Sequence, residues 1–247
     1  MGGMTSILDD PVVWHDVECG AYDADLPLWR ELAEQADAIL EIGAGTGRVA
    51  LYLAERGCDV TGLDPEPALV RTMAARGRER GLRVRAHVGD ARSFDLQRSF
   101  DLVIAPMQVV QLMGGGKGRL AMLERVRRHL RRGGVFAAAL ADPFEGVPAE
   151  DAEPPVPDMR EDGGWVYSST PVAVREAGDA TEIERLRQAV SPSGDLSESA
   201  STVRLDRVAP ADLEGPAAGM GFRAQRPREV PAAGDYVGSA VVLLEAV

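Results

Sequence analysis

Apolar positions in the first 140 residues fall into short continuous runs separated by longer amphipathic stretches. Residues 38–42, 100–105 and 135–140 are near-continuously apolar and strand-length, and 59–63 and 82–88 read as further strands. Between them, Val49, Leu51, Leu53 and Ala54 open an amphipathic segment that stops at Gly57, a helix-end signal. Residues 65–81 begin with proline and glutamate, a helix-start signature, and residues 117–132 form a third helical stretch before Gly133-Gly134. Strand–helix alternation with mostly apolar strands predicts a parallel sheet covered on both faces and joined by right-handed crossovers.

The pattern changes after residue 142. Residues 143–163 are rich in proline, glycine and acid and read as a loop. Residues 165–175, 181–190 and 198–207 then follow without helices, separated by turn residues at 177–179 and 191–195, which predicts an antiparallel meander. Pro171 cannot donate to a sheet ladder, so it belongs at an edge or beside a bulge. A short helix over 211–219 precedes residues 222–228 and 238–246, which read as a C-terminal hairpin closing the main sheet. The expected architecture is α/β: a doubly wound, mostly parallel seven-stranded sheet with a C-terminal antiparallel hairpin and an inserted antiparallel β meander.

Composition narrows the function classes. The 247 residues are 45% hydrophobic and 27% charged, ordinary for a globular protein. No apolar run reaches the roughly 20 residues a membrane helix needs, and no basic head with an apolar core marks export. Cys19 and Cys58 lie far apart, and His15, His87 and His129 are scattered, so no metal site is expected and a reducing cytoplasm suits the chain. A net charge of −12 argues against nucleic acid as the main partner. Arg127, Arg128, Arg131 and Arg132 read as the solvated, dipole-compatible end of a helix. Acid is concentrated in two places: ten acidic residues against Arg30 in residues 1–41, and eight against Arg160 in residues 142–162.

The candidate chemistry sits in ILEIGAGTGRVA, residues 39–50. Dinucleotide turns read G-x-G-x-x-G, with a third glycine for close helix–sheet packing. Here the spacing is Gly43, Gly45, Gly47, and Arg48 stands where that third glycine belongs. A pyrophosphate favours bare amides at a helix N-terminus, and Glu41 just before the turn would repel it. Glu41 suits a cationic ligand end instead, such as an ammonium or a sulfonium. Asp64, after the second strand, can accept two ribose hydroxyls, or serve only as a helix N-cap.

Taken together, E-x-G-x-G-x-G at 41–47, Asp64, and GDARSF at 89–94 resemble the class I S-adenosylmethionine-dependent methyltransferases of small molecules. The resemblance covers residues 38–140 and implies a Rossmann-like fold in a single S-adenosylmethionine-binding domain over 1–247, with an N-terminal cap at 1–36 and an inserted cap at 143–207. It implies that Glu41, Gly43, Ala44 and Gly45 approach the methionine part, and that Asp64 with Pro65 holds the ribose. It implies further that Asp90, Ala91 and Arg92 frame the adenine, and that Ala105, Pro106 and Met107 lie near the sulfonium. S-adenosylhomocysteine would be the product.

The acceptor is less legible. The segment after the fourth strand reads APMQVVQLMGG, with Gln108 and Gln111 but no histidine, and no asparagine–proline–proline–aromatic signature is present. Two segments are expected to roof an acceptor pocket: residues 12–32, with Trp14, His15, Tyr22 and Trp29, and the meander, with Trp165 and Tyr167. Core packing is the simpler role for Trp29 and Trp165. Tyr22, Gln111 and Tyr167 are the acceptor-side candidates. Both roof segments are acid-rich, so their field favours a cationic acceptor such as an amine. O-methylation of a natural-product hydroxyl, a nucleoside-binding protein without methylation, and a nicotinamide-dependent oxidoreductase are the alternatives. The meander's edge offers a homodimer surface.

Overall fold

In a computed structural model, residues 7–141, 156–234 and 236–247 are described. They divide into two compact units: residues 1–22 with 143–205, and residues 23–142 with 206–247. The chain thus leaves the larger unit once and returns to it once. The expected N-terminal cap of 36 residues is divided between the two units, the division falling after Tyr22.

The larger unit is built on β1 (Ile39–Ile42), β2 (Val60–Asp64), β3 (Val84–Val88), β4 (Phe100–Ala105), β5 (Leu130–Leu140) and three strands from its C-terminal segment. Those three are β10 (Phe222–Ala224), β11 (Arg228–Val230) and β12 (Ser239–Ala246). The order is β10-β12-β5-β4-β1-β2-β3, with β11 also pairing β12, so the sheet has eight strands. Strands β3, β2, β1, β4 and β5 run parallel, and β12 is antiparallel to β5. Helices α2 (Leu26–Ala33), α3 (Arg48–Ala54), α4 (Pro67–Glu79), α5 (Gly116–His129) and α6 (Pro210–Ala218) complete the unit. Its core includes Leu40, Phe100, Met122, Phe136 and Leu244, all buried. Strand order reverses between β1 and β4, and ligands bind open α/β sheets outside the carboxyl ends at such a point.

Two boundaries differ from the sequence reading. The third predicted helix stops at His129, and β5 begins at Leu130, running through Gly133-Gly134. Arg131 is therefore a strand residue, paired across to Asp101 at 2.6 Å. A Cβ on Gly134 would lie 3.0 Å from the Asp101 carbonyl oxygen, so the close strand approach favours glycine. Arg127 donates to the carbonyls of Gly221 and Val247 rather than pointing to water. The single strand expected over 222–228 is two short strands, because Pro227 has no N–H to continue the ladder.

The smaller unit contains α1 (Pro11–Cys19) and a sheet of β6 (Asp158–Asp162), β7 (Trp165–Ala177), β8 (Ala180–Val190) and β9 (Leu196–Asp206), in that order. The predicted loop over 143–163 therefore ends in a strand; its residues 143–155 lie outside those described. Gly163 and Gly164 both have positive φ, 57° and 80°, as the tight turn joining β6 to β7 needs. Pro171 lies beyond the reach of β6, whose pairing with β7 ends at Ser169, and a register shift to β8 follows it. Asp10 caps α1, accepting the Val12 N–H at 2.9 Å.

Candidate functional site

The glycine turn joins β1 to α3 at the reversal point. Gly43, Gly45 and Gly47 adopt φ of 71°, 55° and 96°, a left-handed run that other residues rarely adopt. A Cβ on Gly43 would fall 2.4 Å from Val109 Cγ2, in the 3-10 turn Val109–Leu112 after β4. The first glycine therefore serves both backbone conformation and close packing.

Asp64 ties three loops together. Its carboxylate accepts the Gly45 N–H at 2.9 Å and the Glu66 N–H at 2.9 Å, and its carbonyl accepts the Gly89 N–H at 3.0 Å. The N-cap of α4 is Glu66, not Asp64. Each Asp64 oxygen has one of these backbone donors, and an ionised carboxylate offers about four acceptor positions. Capacity for two hydroxyl donors remains.

Glu41 is the electrostatic centre of the site. It is buried, its Oε2 has no hydrogen-bond partner, and desolvation pushes its carboxyl up to about 8. Arg48 and a backbone bond from Ala50 pull the other way, while Asp25 and Asp64 add to the rise. A buried acceptor without a donor is costly, so the position suits a ligand that brings a positively charged donor. Arg48 is committed elsewhere: its guanidinium forms a two-pronged pair with Asp25 at 2.6 and 2.7 Å. Asp25 also accepts the Trp29 indole N–H at 2.8 Å, and Trp29 is fully buried as core. The residue that breaks the dinucleotide spacing thus pins α2 to α3.

Asp90 and Arg92 form an exposed pair, with Nε to Oδ1 at 2.9 Å and the Arg92 N–H to Oδ1 at 2.8 Å. The Arg92 guanidinium holds the Asp90 carboxyl below its usual value, although burial opposes it. Ala91 between them is buried. Ala105 and Pro106 are buried at the end of β4, and Met107 follows with φ of 56°. A non-glycine residue in that region marks local strain, which concentrates at functional segments. Pro65 is exposed beside Asp64. All twelve residues assigned to the cofactor lie at the carboxyl ends of four adjacent strands.

The acceptor-side candidates are placed differently from expectation. Gln111 is buried with its carboxamide fully engaged, donating to the carbonyls of Ala141 (2.9 Å) and Asp206 (3.2 Å) and accepting the Ala141 N–H at 3.0 Å. Tyr167 is buried in the core of the smaller unit, edge-to-face with Trp14 at 6.0 Å, whereas Trp165, stacked on it, is only half-buried. Burial pushes the Tyr167 hydroxyl above its ordinary value. Tyr22 is also buried.

Part of the acid in these segments is paired, among the described residues. Asp16 pairs with Arg160, Glu18 with Arg187 at 2.7 Å, and Glu31 with Arg228 at 2.7 Å. Asp10, Asp25 and Glu41 have the structural roles described above. Formal charge therefore overstates the field that the paired residues project. Among the described residues no cluster of histidine, cysteine and carboxylate side chains is arranged to hold a metal. Among the described residues no helix is long and apolar enough to cross a membrane.

Comparison with known proteins agrees with this geometry. Residues 39–134 match the family described as a methyltransferase domain. The chain is 28% identical over 149 residues to a cypemycin N-terminal methyltransferase from Streptomyces. Over 80 residues it is 40% identical to a tRNA1(Val) (adenine(37)-N6)-methyltransferase from a Flavobacteriaceae bacterium. These matches take in 56% and 30% of this chain, and span only 60% and 35% of the relatives' own lengths. Among solved structures, the fold is similar to that of CalS10 with S-adenosylmethionine bound, an amino pentose methyltransferase from Micromonospora echinaspora. The TM-score is 0.70 at 20% identity, covering 99% of this chain and 100% of that one. Residues 39–134 are thus similar to a methyltransferase domain, on a fold shared with solved S-adenosylmethionine-dependent methyltransferases.

Proposed function

We propose that this protein methylates a nitrogen of a small-molecule amine, with Glu41, Gly43, Ala44, Gly45, Asp64, Pro65, Asp90, Ala91, Arg92, Ala105, Pro106 and Met107 forming the cofactor cleft. The observation that carries the methyl-transfer reading is the unpartnered, buried Oε2 of Glu41 beside a turn too tight for a side chain at Gly43. S-adenosylmethionine, when bound, supplies an electrophilic methyl on a sulfonium. The protein's own task is then to position donor and acceptor in line and exclude water, so neither a nucleophilic side chain nor a metal is required. Glu41 meets the ligand's ammonium, and Asp64 its ribose.

The choice of nitrogen rests on the company the chain keeps. The N-terminal methyltransferase and the adenine N6-methyltransferase are both named for methylating nitrogen, and the structurally similar CalS10 is an amino pentose methyltransferase. An ammonium acceptor must lose its proton before attack, to water or a nearby carboxylate. Parallel panels of amine and phenol acceptors, scored by S-adenosylhomocysteine release, test the reading. Turnover of amines supports it; turnover of phenols alone replaces it with O-methylation.

A further inference from the structure

The larger unit carries a clamp at the place where the chain departs for the insertion and returns from it. Ala141 is the last described residue before the insertion, and Asp206 the first residue of the larger unit after it. Gln111 binds both: two bonds to the Ala141 backbone and one to the Asp206 carbonyl. Asp206 is held a second time through its carboxylate, which accepts the Gly115 N–H at 2.5 Å and Arg119 Nη1 at 2.7 Å. Gln111 itself stands on the 3-10 turn Val109–Leu112, whose Val109 side chain lies against Gly43 of the cofactor turn.

These contacts form one continuous path: glycine turn, Val109, 3-10 turn, Gln111, and then both roots of the insertion. Only a carboxamide satisfies this position, because two carbonyls need donors and one N–H needs an acceptor, all buried. Apart from this clamp, nothing in the path requires Gln111 to be polar. We infer that Gln111 is a positioning residue that fixes the two points of the larger unit where the chain leaves for the insertion and returns, Ala141 and Asp206, to the turn following β4, and that acceptor turnover depends on it more than cofactor binding does. The inference rests on the reading of the insertion as acceptor-binding.

The test compares Gln111→Ala and Gln111→Glu with the native chain. Native-state amide exchange at Ala141 is read first, because its N–H is bonded to Gln111 and its protection does not depend on activity. In Gln111→Ala this protection falls by about tenfold, the loss of one buried hydrogen bond. In Gln111→Glu the acceptor for that N–H survives but both donors are lost. Its kcat/KM for the amine acceptor falls by about tenfold or more at pH 8, while S-adenosylhomocysteine affinity stays within about threefold of native. As pH falls towards 6 a protonated carboxyl, favoured by burial, can again donate to one carbonyl, so the deficit shrinks. A substitution that merely weakened the fold would instead reduce active enzyme without this pH-dependent recovery, as near-ultraviolet circular dichroism at each pH would show.

Unchanged exchange at Ala141 in both variants overturns the clamp. Equal losses of nucleoside and acceptor binding overturn its assignment to the acceptor side. If the native chain methylates no amine but the exchange result holds, the clamp stands and the proposed acceptor class fails.

Discussion

The two units are held together by opposite means. The larger one buries a broad apolar core under a parallel sheet, and the functional polar groups sit at one edge of it. The smaller one has few large apolar residues, chiefly Trp14, Val17 and Tyr167, and supplements them with ion pairs. Glu18 accepts from Ser169 at 2.8 Å and from Arg187 at 2.7 and 2.9 Å, and Arg187 also lies over the Trp14 ring. In the larger unit charge is buried where it meets function, at Glu41 and at Arg48–Asp25. In the smaller one, charge replaces a core. Identical residue types therefore have different consequences when removed, and substitutions should separate the two.

The largest effect belongs to the cofactor turn. Gly43→Ala places a methyl against Val109 at a positive φ, and S-adenosylhomocysteine affinity should fall by about a hundredfold or more in calorimetry. Next comes the buried pair of the larger unit. Arg48→Met leaves the Asp25 carboxylate without its charge partner, and urea unfolding should show a loss of about 3 kcal/mol. In the smaller unit Glu18→Gln leaves half-buried groups that water can reach. A loss of about 1 kcal/mol is expected, shrinking in high salt. A loss as large as that of Arg48→Met would erase the distinction between the two.

The smallest effect is the most diagnostic of the site. The Glu41 carboxyl stands at about 8 in the folded chain against an ordinary 4.5. Above pH 4.5 the unfolded chain releases this proton first, so Glu41 costs stability increasingly as pH rises, until the folded group ionises near pH 8. A cationic ligand end beside it reverses the shift. Binding of S-adenosylhomocysteine near pH 7 should release up to about one proton, measured by calorimetry in buffers of different ionisation enthalpy, and Glu41→Gln should abolish that release.

The parallel sheet was legible because most of its strands are short apolar runs alternating with amphipathic stretches, one with a proline start and others with glycine stops. The meander was legible from turn residues. The strand at Asp158–Asp162 was hidden, since its alternating polar residues have no apolar stripe; only Gly163-Gly164 betrayed the turn. The residues proposed for the cofactor have a local signal, because backbone geometry demands glycine at fixed spacing. Acceptor-side residues do not: Gln111 looks like a reactive polar side chain in sequence and is a buried backbone clamp in space. Asp25, which partners Arg48 from 23 positions away, carries no local signal at all. Counting charges likewise cannot show which acids are already paired, as Asp16, Glu18 and Glu31 are.

One titration tests the central claim most directly: S-adenosylhomocysteine and NADH, each against the native protein, by calorimetry. Tight binding of the sulfur nucleoside and none of NADH is the predicted result, with Asp64→Ala weakening the former by about tenfold or more through lost ribose contacts and a loosened Gly45 turn. Tight binding of NADH, or no binding of S-adenosylhomocysteine, would contradict it.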